Sequence, residues 1–324
     1  MKRINPFIPL YDYQNKTPSD VQINRMDDFP LLIDVELTNR CNMRCIFCAQ
    51  RAMKRARLDM TEEHYRKLLD EIAPRGTPLR FIRWGEPLLH PRFLEFIRMA
   101  KEKGLLLHVT TNGLLMDQTM ATALVDLELD SIKFSFQGVD AQTYLEMRRA
   151  DSFNKVIDNL ELLHRTRGRR EKPFIHVSTS ITKENEEQVA SFKTLAGRFA
   201  DSVEAGNTNL SRYNIFELDL TREEIDVFMA MYEQETVDKH YKHCPEVFTK
   251  LSVNSDGTVS ACCGDYDNAF VVGRLGEDKL ESIWKNQQMT EIRNILARMQ
   301  HKRLTLCKSC YTVYRDKSKT IKSE

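Results

Sequence analysis

Apolar and polar positions along the first two thirds of the chain fall into short, regularly repeating blocks. Leu31-Leu-Ile-Asp-Val-Glu-Leu is a nearly continuous apolar run and predicts a buried strand. Thr61 to Ile72 predicts a helix, with Tyr65, Leu68, Leu69 and Ile72 on one face, Thr61 as cap, and Glu62 and Glu63 in the first turn. A strand over Leu79–Arg83 follows, then a helix over Phe93–Lys103, opened by Pro91 and closed by Gly104. Leu105–Thr110 and Asp130–Phe136 read as strands around a helix at Met116–Leu127. Helical stretches at Ala141–Met147 and Phe153–Thr166 precede a strand at Phe174–Thr182, a helix at Glu184–Phe199 and a short strand at Ser202–Ala205. Residues 1–30 are polar, with scattered prolines, and predict an extended lead-in.

Strands that alternate with helices predict parallel βαβ units. Six such units are fewer than the eight of a closed barrel and suit an α/β fold, an open partial (β/α)6 TIM-like barrel over 31–206. Reactive side chains in such folds gather at the carboxyl ends of the strands. The loop holding Cys41, Cys45 and Cys48, Gly85-Glu86-Pro87, Thr111-Asn112-Gly113 and Ser135-Phe136-Gln137-Gly138 all follow strands and share that rim. The pattern changes after about residue 240. Lys250 to Ala261 alternates around Asp256-Gly257, a hairpin signal, and residues 279–300 read as short helices including Ile283 and Trp284. A bridging segment over 207–239, a small C-terminal unit over 240–314 and a frayed basic tail over 315–324 complete the expected organisation.

Composition narrows the function. The 324 residues are 41% hydrophobic, enough for one large core, and the net charge of +1 creates no field for nucleic acid or an anionic membrane. No run reaches the length of a transmembrane helix, and Pro6 and Pro9 interrupt the only candidate for a signal segment. Eight clustered cysteines favour metal ligation over a disulfide framework, which places the chain in a reducing, cytoplasmic setting.

The sharpest chemical feature is Cys41-x3-Cys45-x2-Cys48 directly after the first strand. Three thiolates can hold three irons of a cubane and leave the fourth open, whereas a structural zinc site needs a fourth ligand. His64 is the nearest downstream histidine, inside a predicted helix, so zinc or plain core thiols remain the bland alternative. The spacing, with Phe47 beside Cys48, resembles the signature of the radical S-adenosylmethionine (radical SAM) superfamily. That resemblance implies a [4Fe–4S] cluster on Cys41, Cys45 and Cys48. The open iron would chelate SAM, whose reductive cleavage yields a 5′-deoxyadenosyl radical. Arg83-Trp84-Gly85-Glu86-Pro87 resembles the family's Gly-Gly-Glu-Pro loop, with Trp84 in place of the first glycine. By the same resemblance Phe47, Gly85, Glu86, Pro87, Asn112, Ser135 and Arg148 are expected to bind the cofactor. Asn112 also reads as a simple turn residue, and Arg148 as a solvated helix end.

Cys244, then Gly257-x4-Cys262, then Cys307-x2-Cys310 resemble the auxiliary-cluster domain called SPASM in its shortened, twitch form. The resemblance implies a second [4Fe–4S] cluster on Cys244, Cys262, Cys307 and Cys310, with Cys263 spare or in the place of Cys262, which the glycine spacing favours. A zinc ribbon is the alternative for the same spacing. His240 and His243 read as surface residues, and the basic run from His164 to Arg170 as a solvated helix end. The implied activity is that of a radical SAM oxidoreductase on a small polyhydroxylated or amino-sugar substrate. The substrate's electron would pass to the auxiliary cluster, and a flavodoxin or ferredoxin would act as reductant. Alternatives are a peptide-modifying maturase, mildly disfavoured because nothing resembles a separate peptide-recognition domain, and an epimerase with Cys263 as hydrogen donor. No catalytic base stands out by spacing.

Overall fold

The computed structural model describes residues 3–24, 26–181, 184–207, 221–223 and 244–307. The N-terminal segment is helical: α1 spans Ile8–Lys16 and α2 Ser19–Asn24. This corrects the extended lead-in expected from the prolines. Pro9 lies in the first turn of α1, where the missing N–H costs nothing. Phe7 is fully buried, with its ring 5.7 Å from that of His108, so the segment closes the barrel floor. The Gln22 amide donates to the carbonyls of Tyr13, Gln14 and Thr17, tying α2 back to α1.

Six strands then alternate with helices. They are β1 (Leu32–Val35), β2 (Leu79–Phe81), β3 (Leu107–Thr111), β4 (Ser131–Ser135), β5 (Phe174–Ile181) and β6 (Ser202–Asn207). Each pairs in parallel with its sequence neighbour. The helices are α3 (Glu62–Ile72), α4 (Phe93–Glu102), α5 (Gln118–Asp126), α6 (Ala141–Arg148), α7 (Phe153–Arg167) and α8 (Glu186–Ala196). Thr61 caps α3 as expected, accepting from the His64 N–H at 3.2 Å. The capping box of α6 joins Asp140 and Thr143, and that of α8 joins Asn185 and Gln188.

Strand alternation gives the sheet two chemically different faces. Ile33, Val35, Leu79, Phe81, Leu107, Val109, Ile132, Phe134, Ile175 and Val177 join the core with Tyr65, Leu69 and Phe96 of the helices. Burying each such side chain stabilises the fold by roughly 1.5–3 kcal/mol. The alternate positions, Asp34, Arg80, His108, Lys133, His176 and Glu204, face the barrel lumen and are polar. Arg167 departs from the expected solvated helix end. It is fully buried, donates to the Pro173 carbonyl at 2.9 Å and pairs with Asp201.

After residue 244 come α9 (Glu246–Thr249), β7 (Lys250–Val253), β8 (Thr258–Ser260), β9 (Val271–Arg274), α10 (Leu280–Lys285) and α11 (Gln287–Ala297). The hairpin turn at Asp256-Gly257 is present, with Gly257 at φ 82°. The strand β9 carries no strong sequence signal because Gly273 interrupts it. There a Cβ would meet Ile283 at 2.6 Å. The hairpin does not stand apart from the barrel. β7 pairs in parallel with β1, making a nine-stranded sheet of order β6-β5-β4-β3-β2-β1-β7-β8-β9. Trp284, wholly buried, donates its indole N–H to the Asp27 carbonyl at 2.9 Å and locks the C-terminal helices to the N-terminal segment. No helix among the described residues is long and apolar enough to cross a membrane.

Candidate active site

The loop after β1 is shaped before its cysteines appear. The Asn39 amide donates to the Ala56 carbonyl at 2.7 Å and its carbonyl accepts from the Leu58 N–H at 2.7 Å. Thr38 Oγ1 donates to Asp59 at 2.6 Å. These bonds fold residues 38–60 into a closed excursion carrying Cys41, Cys45 and Cys48. Cys45 is buried and the other two half-buried. Burial, with the neighbouring Cys45 adding, pushes the Cys41 thiol up to about 11 and the Cys48 thiol up to about 12. The three sulfurs are therefore mutual electrostatic neighbours, in an environment where a thiolate needs a cationic centre beside it. No three His, Cys, Asp or Glu side chains among the described residues converge on a single ion-sized point. Ligands to separate corners of a cubane need no such convergence, and a structural zinc ion does.

Arg148, at the end of α6, is buried rather than solvated. Its Nη1 lies 3.5 Å from Cys45 Sγ, and its Nη2 donates to the Ser135 carbonyl and, at 3.3 Å, to Ser135 Oγ. The guanidinium carbon is 5.5 Å from the Phe47 ring centroid. One side chain thus gathers three of the residues expected at the cofactor. Its buried Nε has no hydrogen-bond partner among the described residues. A buried guanidinium with an unused donor suits a bidentate carboxylate ligand, the group that S-adenosylmethionine carries.

The loop after β2 locks the rim together. A Cβ on Gly85 would lie 1.9 Å from the Thr38 carbonyl oxygen and 2.8 Å from that of Arg40. Only glycine permits this approach to the cysteine loop. The next N–H, of Glu86, donates to the Arg40 carbonyl at 2.8 Å. The buried Glu86 carboxylate accepts from Thr111 Oγ1 and the Asn112 N–H at 2.7 Å each, and from the Leu88 N–H at 3.2 Å. Burial raises its pKa. Pro87 opens the one-turn helix Pro87–Leu89 and is buried. Asn112 is the expected turn residue, its side-chain carbonyl accepting from the Leu114 N–H, and its amide donates to Asn42 inside the cysteine loop at 2.7 Å.

Two residues earlier in the same loop reach the C-terminal region. Arg83, held at φ 119°, donates to the carbonyls of Cys262 (3.0 Å) and Asp265 (2.8 Å) and to the Asn254 side chain (2.6 Å). Trp84 donates its indole N–H to the Asp265 carbonyl at 3.2 Å, and its ring meets Tyr266 edge-on at 5.9 Å. Trp84, flagged in the sequence only as a departure from the loop motif, is thus half of a clamp between the two cysteine regions. Arg83 was not anticipated, and its positive φ is invisible in sequence.

Of the expected C-terminal ligands, Cys244 and Cys307 are buried and Cys262 is half-buried. The Gly264 N–H donates to Cys262 Sγ at 3.2 Å. A hydrogen bond with Cys263 and burial push the Cys262 thiol well up, and Cys244 is close enough to add to the effect. Cys263 donates to Glu246 at 3.0 Å, and Glu246 pairs with Lys250 at 2.6 Å. Cys310, His240 and His243 lie outside the described residues, as do nearly all of the bridging segment and the tail.

Profiles of known families agree with this geometry. The radical SAM superfamily profile matches residues 35–196, and an iron–sulfur cluster-binding domain, SPASM, matches 244–311. The chain belongs to the radical SAM superfamily and carries a C-terminal SPASM domain. A [4Fe–4S] cluster and S-adenosylmethionine follow from that membership, with further iron–sulfur chemistry in the C-terminal domain. Among curated relatives, a tungsten-containing aldehyde ferredoxin oxidoreductase cofactor-modifying protein of Pyrococcus furiosus is 31% identical over 165 residues, 48% of this chain and 45% of its own length. A mycofactocin maturase of Mycobacterium tuberculosis is 27% identical over 178 residues, 55% of this chain and 44% of its own. The chain thus spans about half the length of the curated relatives it matches. Among solved structures, Streptococcus suis SuiB bound to its precursor peptide SuiA aligns with a TM-score of 0.65 at 16% identity, over 97% of this chain and 81% of that one. BtrN in complex with AdoMet and 2-DOIA aligns with a TM-score of 0.55 at 19% identity, over 88% and 94%. At these identities the likeness is one of fold.

Proposed function

We propose that the chain is a radical SAM oxidoreductase that removes a hydrogen atom from a small polyhydroxylated or amino-sugar substrate, whose radical then loses a proton to solvent and an electron to an auxiliary [4Fe–4S] cluster. Cys41, Cys45 and Cys48 would hold the first cluster, and Cys244, Cys262, Cys307 and Cys310 the second. When bound, the first cluster supplies an electron that cleaves S-adenosylmethionine to a 5′-deoxyadenosyl radical. The rest is positioning by the protein. Arg148 would take the SAM carboxylate, Ser135 and Phe47 would frame it, and Glu86 and Asn112 would hold the rim rigid. A flavodoxin or ferredoxin would serve as reductant, and the cytoplasm as setting.

The observation that carries this reading is the Arg83–Trp84 clamp. It bonds the expected SAM loop directly to the backbone of Cys262 and Asp265. An electron acceptor works only when it is held close to the oxidised carbon, and this contact holds the two sites together. BtrN, whose fold this chain shares over most of both lengths, was solved with AdoMet and 2-DOIA, which favours a small molecule. A second reading, peptide maturation, draws support from the fold of SuiB and from the sequence likeness to the mycofactocin maturase. Epimerisation by Cys263 is less favoured, because its thiol is turned to Glu246. Anaerobically loaded protein, reduced with dithionite and given SAM, should form 5′-deoxyadenosine and contain about eight irons per chain. About four irons, or no 5′-deoxyadenosine from fully loaded protein, overturns the reading.

A further inference from the structure

The lumen of the barrel holds three cations that no sequence motif marks: Arg80, Lys133 and Lys250. Two of them are compensated. Arg80 pairs with Asp34 through two bonds of 2.7 and 2.9 Å, and Lys250 lies 3.2 Å from Asp34 and 2.6 Å from Glu246. Lys133 has neither an ion pair nor a hydrogen bond among the described residues. Its strand neighbours are Thr110 on β3 and His176 on β5. Neither can balance its charge. The His176 ring is given to Ser202 at 2.7 Å, and burial keeps both His176 and His108 neutral by pulling their pKa values down. Glu204 on β6 is the nearest carboxylate left, but it lies 3.7 Å from the His176 ring with 78% of its side chain exposed, so solvent screens its pull on Lys133. Asp34 on β1 is already shared by two other cations. Burial, with the nearby Arg80 charge adding, pulls the Lys133 amine down to about 8, more than Glu204 and Asp34 offset.

The position of this amine is as informative as its isolation. Ser131, Lys133 and Ser135 share the lumen face of β4, while Ile132 and Phe134 are in the core. Lys133 therefore lies one lumen step, roughly 7 Å, below Ser135, where Arg148 docks. An ammonium left uncompensated in a desolvated space is costly unless a ligand supplies the counter-charge.

We propose that Lys133 is a substrate-binding residue and that the substrate presents an anionic oxygen group, carboxylate or phosphate, to it. The inference rests on the proposed reaction at the rim and narrows its substrate: a bare amino-sugar would place a further cation beside Lys133, whereas a sugar acid or sugar phosphate pairs with it. A lysine suits either anion as a point charge.

The test is isothermal titration of the cluster-loaded chain with SAM present, using glucose, glucosamine, glucuronate and glucose 6-phosphate as probes. At least one anionic probe should bind about tenfold or more tighter than glucose and glucosamine, a difference of about 1.4 kcal/mol. Lys133→Met should remove that preference and Lys133→Arg should keep most of it, with circular dichroism and iron content showing that both variants fold. Equal binding of all four probes, no binding of either anion, or an unchanged preference in Lys133→Met overturns the proposal. Formation of 5′-deoxyadenosine is scored separately without any probe. Its absence speaks against the radical chemistry and leaves the anion preference to stand or fall by itself.

Discussion

The two cysteine regions are built on opposite plans. At the N-terminal site the three thiols come from one short loop, fixed by local bonds at Thr38 and Asn39 and by the close approach of Gly85. At the C-terminal site Cys244, Cys262 and Cys307 come from three separate stretches, with Cys244 an electrostatic neighbour of Cys262 on a domain whose strand β7 has joined the edge of β1. The first site is local in sequence and carries an unpaired donor for a ligand on Arg148. The second is long-range, and its Cys262 thiol is enclosed by Cys263, Cys244 and the Gly264 N–H. The first site is thus held by backbone contacts within one loop and keeps a free donor, whereas the described thiols of the second come from distant stretches of the chain.

The sharpest way to break this comparison is to remove one thiol from each side. Cys45→Ala should abolish 5′-deoxyadenosine formation and lower iron by about four per chain. Cys244→Ala should lose a similar amount of iron yet still cleave SAM, without completing product. Iron analysis and chromatography of the nucleoside decide it, and a Cys244→Ala protein as inert as Cys45→Ala would erase the distinction. Next in size is Asp34→Asn. It leaves Arg80 and Lys250 without their shared carboxylate and should cost ~3–5 kcal/mol in urea unfolding. Both regions suffer, since Asp34 is on β1 and Lys250 on β7. Arg148→Lys removes a fork but keeps the charge, and SAM affinity by equilibrium dialysis should fall about tenfold or more, ~1.5–3 kcal/mol. The smallest effect belongs to Trp84→Phe. It keeps a ring against Tyr266 but loses the bond to the Asp265 carbonyl, about 1 kcal/mol. That loss should appear as a lower thermal midpoint for the C-terminal cluster's visible absorbance than for the N-terminal one.

Much of this was legible because it is local. The cap at Thr61, the apolar face of α3 and the triple-cysteine spacing each depend on residues a few positions apart. Arg148 was placed in sequence as either a ligand or a solvated end, and only the packing of α6 against the cysteine loop decides for burial. Lys133 was invisible for a different reason. A single lysine in an apolar strand is ordinary, and its isolation depends on what five other strands place around it. Arg167 failed in the opposite sense: a basic run at a helix end looks solvated until Asp201, on the way to β6, folds over it. The N-terminal helices were missed because their burial comes from the barrel floor, with Phe7 against His108.

The pairing of β7 with β1 has a consequence for how the chain matures. During synthesis β1 and its thiols leave the ribosome long before β7 does, and one edge of the growing sheet stays unpaired in the meantime. In that interval the first loop is not yet joined to Cys262 and Asp265 through Arg83 and Trp84. It is also when the nascent protein is most prone to stick to its neighbours through that bare edge.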